Sequence, residues 1–104
     1  MNKFNKIREW AQKKGIYRDG DIKTQTLKLF EEAGELSRAS LKNDKDEFID
    51  AIGDCVVVLT NLAELGAEHF NDNEITIENC IDIAYNVIKK RKGKMKNGTF
   101  VKNN

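Results

Sequence analysis

The chain has 104 residues and 11.9 kDa, with 34% charged and 39% hydrophobic residues, no Pro and two Cys. That is one domain, residues 1–104, near the small end of what folds alone, so a homo-oligomer is expected from the outset. Collagen-like, disordered and disulfide-framed classes are excluded by the absent Pro, the apolar content and the two Cys, and a membrane span by a longest apolar run of only Cys55-Val56-Val57-Val58-Leu59.

Met1 to Lys6 carries no apolar stretch of the kind that opens a secretory signal, and together with the sparse cysteines this predicts a cytoplasmic protein. The net charge of +1 conceals an asymmetry. Residues 1–82 hold 11 Lys/Arg against all 17 Asp/Glu, a balance of −6, whereas residues 83–104 hold seven Lys/Arg and no acid. An acidic body with a basic tail, about residues 89–104, suggests that the two parts meet or that each meets a partner.

Phe4, Ile7, Trp10 and Ala11 fall at helical spacing and predict a first helix near 2–14, followed by a loop through Gly15 and Arg18-Asp19-Gly20-Asp21. A second helix is expected from about Ile22 to Lys42, with Asn43-Asp44-Lys45-Asp46 as a turn whose Asx residue caps the third. That third segment, about Asp46 to Leu65, is apolar nearly all round. It is too long and too poorly alternating for a strand, so it reads as a buried helix, with Gly66 in the next connection. A fourth helix runs from about Thr76 to Lys92, with Ile77, Cys80, Ile81, Ala84, Val87 and Ile88 on one side and with Gly93 and Gly98 ending it. No strand is expected, and the fold class is all-α, of four-helix-bundle type.

On the second helix, Gln25, Lys28, Glu32 and Glu35 share an arc of about 80°, with Glu32 at the edge of the apolar face and Glu31 on the wet side. On the third, Glu47, Asp50, Asp54 and Asn61 form one polar stripe on an otherwise apolar helix. Unpaired carboxylates buried there would cost several kcal/mol each or take up protons. Three compensations are open: basic partners such as Lys28, Arg91 or Lys94, protonation with mutual hydrogen bonds, or a divalent cation. Glu32, Glu35, Asp50 and Asp54 on facing helices are hard oxygen ligands that suit Mg²⁺ or Mn²⁺ rather than Zn²⁺.

Glu31-Glu32-Ala33-Gly34-Glu35, followed by Asp50-Ala51-Ile52-Gly53-Asp54, resembles the EExxE and ExxD pattern of the MazG-like all-α nucleotide pyrophosphohydrolases. Gln25 to Leu29, Asn61-Leu62-Ala63 and the stretch from Ala84 through Asn97-Gly98 to Lys102 extend the resemblance over about residues 7–102. They match small single-domain members, often phage- or prophage-encoded. One residue departs from the pattern: Ala51 stands where the Glu of ExxD belongs. Glu47-Phe48-Ile49-Asp50 spells ExxD one turn earlier, but the preferred reading takes Asp50, one turn from Asp54, as the substitute, with Glu47 as an outer ligand.

The resemblance implies Mg²⁺-dependent hydrolysis (Mn²⁺ being the alternative ion) of a nucleoside triphosphate to a monophosphate and pyrophosphate. It implies metal ligands at Glu32, Glu35, Asp50 and Asp54, and a water-orienting carboxylate at Glu31 or Glu35. Substrate contacts would come from Gln25, Lys28, Asn61, Arg91 and Lys94. It further implies an oligomer, dimer or tetramer. No membrane partner is expected from the short apolar runs, and the acid stripe, which nucleic-acid binding does not require, argues against a nucleic-acid partner. The rival readings are a degenerate nucleotide binder and a helical module that uses the basic tail to hold nucleic acid or an acidic partner. Cys55 and Cys80 read as small core thiols, His69 as a helix-end residue, and Trp10, Tyr17 and Tyr85 as packing aromatics, with one from the first helix able to face a nucleobase.

Overall fold

Side-chain caps open each of the four long helices in the computed structural model, which describes residues 2–103. Asn2 caps α1 (Lys3–Lys13), Asp21 caps α3 (Ile22–Leu41), Asp44 caps α4 (Lys45–His69) and Thr76 caps α5 (Ile77–Ile88). Between α1 and α3 the chain forms a single-turn helix, α2 (Ile16–Asp19), where a loop is expected. Gly15 makes this possible by taking a left-handed φ of 79°.

Helices α3 and α4 form the central antiparallel pair, and α4 also touches α1, α2 and α5. Val56, Val57 and Val58 lie inside α4, as its length and lack of alternation predict. The helix continues through Gly66 to His69, because Gly66 is a buried packing position and the first left-handed residue after it is Asn71, at φ 51°. The core is thin: Ala11, Ala39, Ala51, Val58, Ala63 and Leu65 are its buried apolar residues. Arg8 on α1 adds a polar clamp, reaching Glu78 on α5 at 2.6 and 2.8 Å and Glu64 on α4 at 3.5 Å.

The C-terminal segment departs from expectation. Helix α5 stops at Ile88 rather than Lys92, tightening through i→i−3 bonds from Lys90 to Val87 and from Arg91 to Ile88 as the apolar pattern gives way to four successive cations. A β-hairpin comes next, β1 (Gly93–Lys96) paired antiparallel with β2 (Thr99–Lys102). Asn97 and Gly98, at φ 52° and 83°, form the two-residue left-handed turn whose twist matches the strands. Gly93 is required there, since a Cβ would run into the Val101 carbonyl and the Phe100 ring. Gly98 therefore turns a hairpin rather than ending a helix. The core-thiol expectation is also corrected, because Cys55 is half-buried and Cys80 exposed.

Candidate active site

Glu32, Glu35 and Asp54 come together across the α3–α4 interface. One carboxylate oxygen from each lies within 4.8 Å of the other two. The i, i+3 step places Glu32 and Glu35 on one face of α3, and the close packing of α4 brings Asp54 to them. Glu32 is buried at 7% exposure. Its Oε1 lies 3.3 Å from Lys28 Nζ, while its Oε2 is buried with no hydrogen-bond partner. Lys28 also meets Glu31 at 3.4 Å.

The trio is short of positive charge. Lys28 is the basic side chain that ion-pairs with these acids among the described residues, and it is shared between Glu31 and Glu32. Removal from water and the neighbouring Asp50 charge hold the Asp54 carboxyl above its ordinary value, and the Glu32 charge does the same to Glu35. A buried, unpartnered carboxylate oxygen beside two carboxyls that resist ionisation is the donor set a hard divalent cation fits.

These upward shifts predict a pH dependence in metal-free protein. The carboxylate repulsion is fully present above the folded-state pKa values. It falls away as pH drops through them and is gone below the ordinary carboxylate value of about 4. With EDTA present, the Tm of Asp54→Asn is expected to exceed that of wild type most at about pH 8, the gap closing by about pH 4. Thermal melts across that range check this, and a gap that widens towards acid contradicts it.

Beside the trio is a cavity of about 460 Å³. Gln25, Lys28, Glu31, Glu32, Asp54 and Asn61 are on its wall, so most of the residues singled out from the sequence share one space. Trp10 and Val57 add apolar surface. Asp50 is a partial exception: it sits close enough to raise the Asp54 pKa, but it is exposed and lies outside the trio. The buried-stripe expectation for α4 is thus corrected, because Glu47 and Asp50 face solvent and the buried acid is Glu32 on α3. Ala51, by contrast, points inward at 2% exposure. Arg91 and Lys94 are exposed in the C-terminal segment and do not line this cavity.

Two contributors read in the sequence as packing aromatics, one of them on the first helix and able to face a nucleobase, reach this site as well. Trp10 faces the cavity instead of being spent on packing, and remains 46% exposed. Tyr17 donates a hydrogen bond from its hydroxyl to Asn61 Oδ1 at 2.8 Å. No local signal identifies that pairing, which spans 44 residues.

The family model for the MazG nucleotide pyrophosphohydrolase domain matches residues 21–96, from the cap of α3 to the end of β1. The chain belongs to the MazG family. A 58-residue stretch, 56% of the chain, is 41% identical to an uncharacterized 18.2 kDa protein in the rep-hol intergenic region of Haemophilus phage HP1 (strain HP1c1). That stretch spans 36% of the relative's length. No solved structure matches the chain. Both helices that carry the acids of the trio, α3 and α4, lie within the matched residues.

Proposed function

We propose that the protein hydrolyses a nucleoside triphosphate to its monophosphate and pyrophosphate in a Mg²⁺-dependent reaction, with Mn²⁺ as the alternative ion. The observation that carries this reading is the buried, unpartnered Glu32 Oε2 within the Glu32–Glu35–Asp54 trio, beside a cavity large enough for a nucleoside. Membership of the MazG family supports it. Glu32, Glu35 and Asp54 would hold the ion, with exposed Asp50 one turn from Asp54 as an outer carboxylate. When bound, the ion would neutralise phosphate charge and stabilise the leaving pyrophosphate.

The chain's own groups supply the rest. Glu31 is on the cavity wall but outside the trio, and with Lys28 on its Oε1 at 3.4 Å its other oxygen would orient a water and accept its proton. The water oxygen bonds to the α-phosphorus as the bond from that phosphorus to the bridging oxygen breaks, releasing pyrophosphate. Lys28, its charge reinforced by its hydrogen bond to Glu32, would contact phosphate oxygens. Trp10 offers a ring face to the base, and Gln25 and Asn61 offer polar contacts beyond the phosphates.

No helix among the described residues is long and apolar enough to cross a membrane. The sparse cysteines and the exposed apolar surface support a cytoplasmic homo-oligomer as part of this reading. Arg91 and Lys94, which do not line the cavity of their own chain, would act on substrate within such an assembly. A panel of nucleoside triphosphates with Mg²⁺ tests the activity, and the expected products are pyrophosphate and the monophosphate. Orthophosphate with a diphosphate would overturn the attack at the α-phosphorus, and no turnover would favour a degenerate nucleotide binder.

A further inference from the structure

Asn61 is 3% exposed and lies on the cavity wall, while Tyr17 stands behind that wall on α2. The Tyr17 hydroxyl donates to Asn61 Oδ1 at 2.8 Å. A carboxamide carries its acceptor and its donors on opposite sides. With Oδ1 engaged by Tyr17, the amide offers its Nδ2 hydrogens to the cavity.

Two features hold this arrangement in place. Glu64, whose charge acts on the Tyr17 hydroxyl, is already engaged by Arg8 at 3.5 Å. Burial, reinforced by the Glu64 charge, pushes the Tyr17 hydroxyl up to about 12, so it keeps its proton across the physiological range. Asn61 also lies two helical turns beyond Asp54, about 10.5 Å along α4. With phosphates at the acids, that is the far end of the nucleotide, beside the ring surface of Trp10.

We propose that Tyr17 is a positioning residue that presents Asn61 as a hydrogen-bond donor, so that the cavity selects nucleotides whose base meets it with a carbonyl oxygen over those that meet it with an amino group. This rests on the nucleotide-hydrolysing reading above and adds to it a substrate class, the keto bases. Sites built around one directed hydrogen bond reject the mismatched partner strongly, because a buried polar group is then left unpaired.

The test uses size-matched substrates, dUTP against dCTP and GTP against ATP, comparing kcat/KM for wild type, Tyr17→Phe and Asn61→Asp. Binding of the four corresponding monophosphates is followed in parallel by calorimetry. Wild type is expected to favour the keto member of each pair by about tenfold or more. Tyr17→Phe keeps the ring but frees the amide to turn, so the ratio should fall towards one. A merely structural defect would instead lower both members alike and leave the ratio intact. Asn61→Asp turns an accepting group to the cavity and should invert the preference.

An unchanged ratio in Tyr17→Phe, or a wild-type preference for amino bases, overturns the inference while leaving pyrophosphate release standing. Keto-selective monophosphate binding without turnover of any triphosphate would support the inference and overturn the activity alone. Neither binding nor turnover overturns both.

Discussion

Asp54→Asn is expected to abolish turnover while leaving the metal-free fold as stable as wild type or more so. An amide is a weak, uncharged ligand for a hard cation, so the trio would lose its α4 member. Without metal the same change removes a carboxylate whose burial and acidic neighbours outweigh the opposing charge of Lys28. Asp54 makes no ion pair among the described residues, and its carboxyl is held above its ordinary value by burial and by Asp50 and Glu32. Relief of that repulsion is worth up to about 1 kcal/mol. Were Asp54 instead the partner of a buried cation, its neutralisation would cost about 3 kcal/mol or more. Saturation of wild type with Mg²⁺ at a hundred times Kd would add about 2.7 kcal/mol, a rise in Tm of about 10 °C or more for a domain of this size. The variant's Tm should barely respond. Melts in EDTA and in Mg²⁺, with activity measured alongside, check all three quantities. A variant destabilised in EDTA yet active would remove Asp54 from the metal site.

Helical periodicity locates the α3–α4 pair, and the Asx residues at its turn mark where α4 starts. The same periodicity puts Glu32 at the margin of the apolar face, and there it is buried. What it does not give is the depth of the α4 acids. A helix that reads as apolar all round is expected to be central, yet the single chain leaves Ile49 and Ile52 exposed and turns Asp50 to solvent with them. The hairpin had a signal in Asn97-Gly98, the strongest two-residue hairpin turn. Its strands are only four residues each, and they come after a strongly periodic helix that masks them. The Tyr17–Asn61 bond was out of reach for a different reason. Each residue has an ordinary local role, and only the docking of α2 against α4 brings them together.

That exposed apolar surface leads to the second large expectation, that wild type is at least a dimer in solution. A folded monomer of 11.9 kDa should expose about 5,950 Å², whereas this chain exposes 8135 Å². Its radius of gyration is 16.0 Å, against about 13 Å for a compact chain of this length. The excess of about 2,200 Å² per chain matches the share each partner contributes to an obligate dimer that buries about 2,000–5,000 Å² in all. Helix α5 locates much of it, since it has no buried residue and leaves Ile81, Ile83, Val87 and Ile88 between 48% and 67% exposed. Ile81 and Ile88, seven residues apart, share one side of the helix. Changing both to Glu places charges that a free chain tolerates and an apolar interface does not, at several kcal/mol each. Light scattering at micromolar concentration should show wild type as a dimer or larger and the Ile81→Glu/Ile88→Glu variant as a monomer with a lowered Tm. The wild-type measurement is decisive in itself. A stable monomer there would mean that this thin core, with alanine at four of its six buried apolar positions, holds the fold unaided.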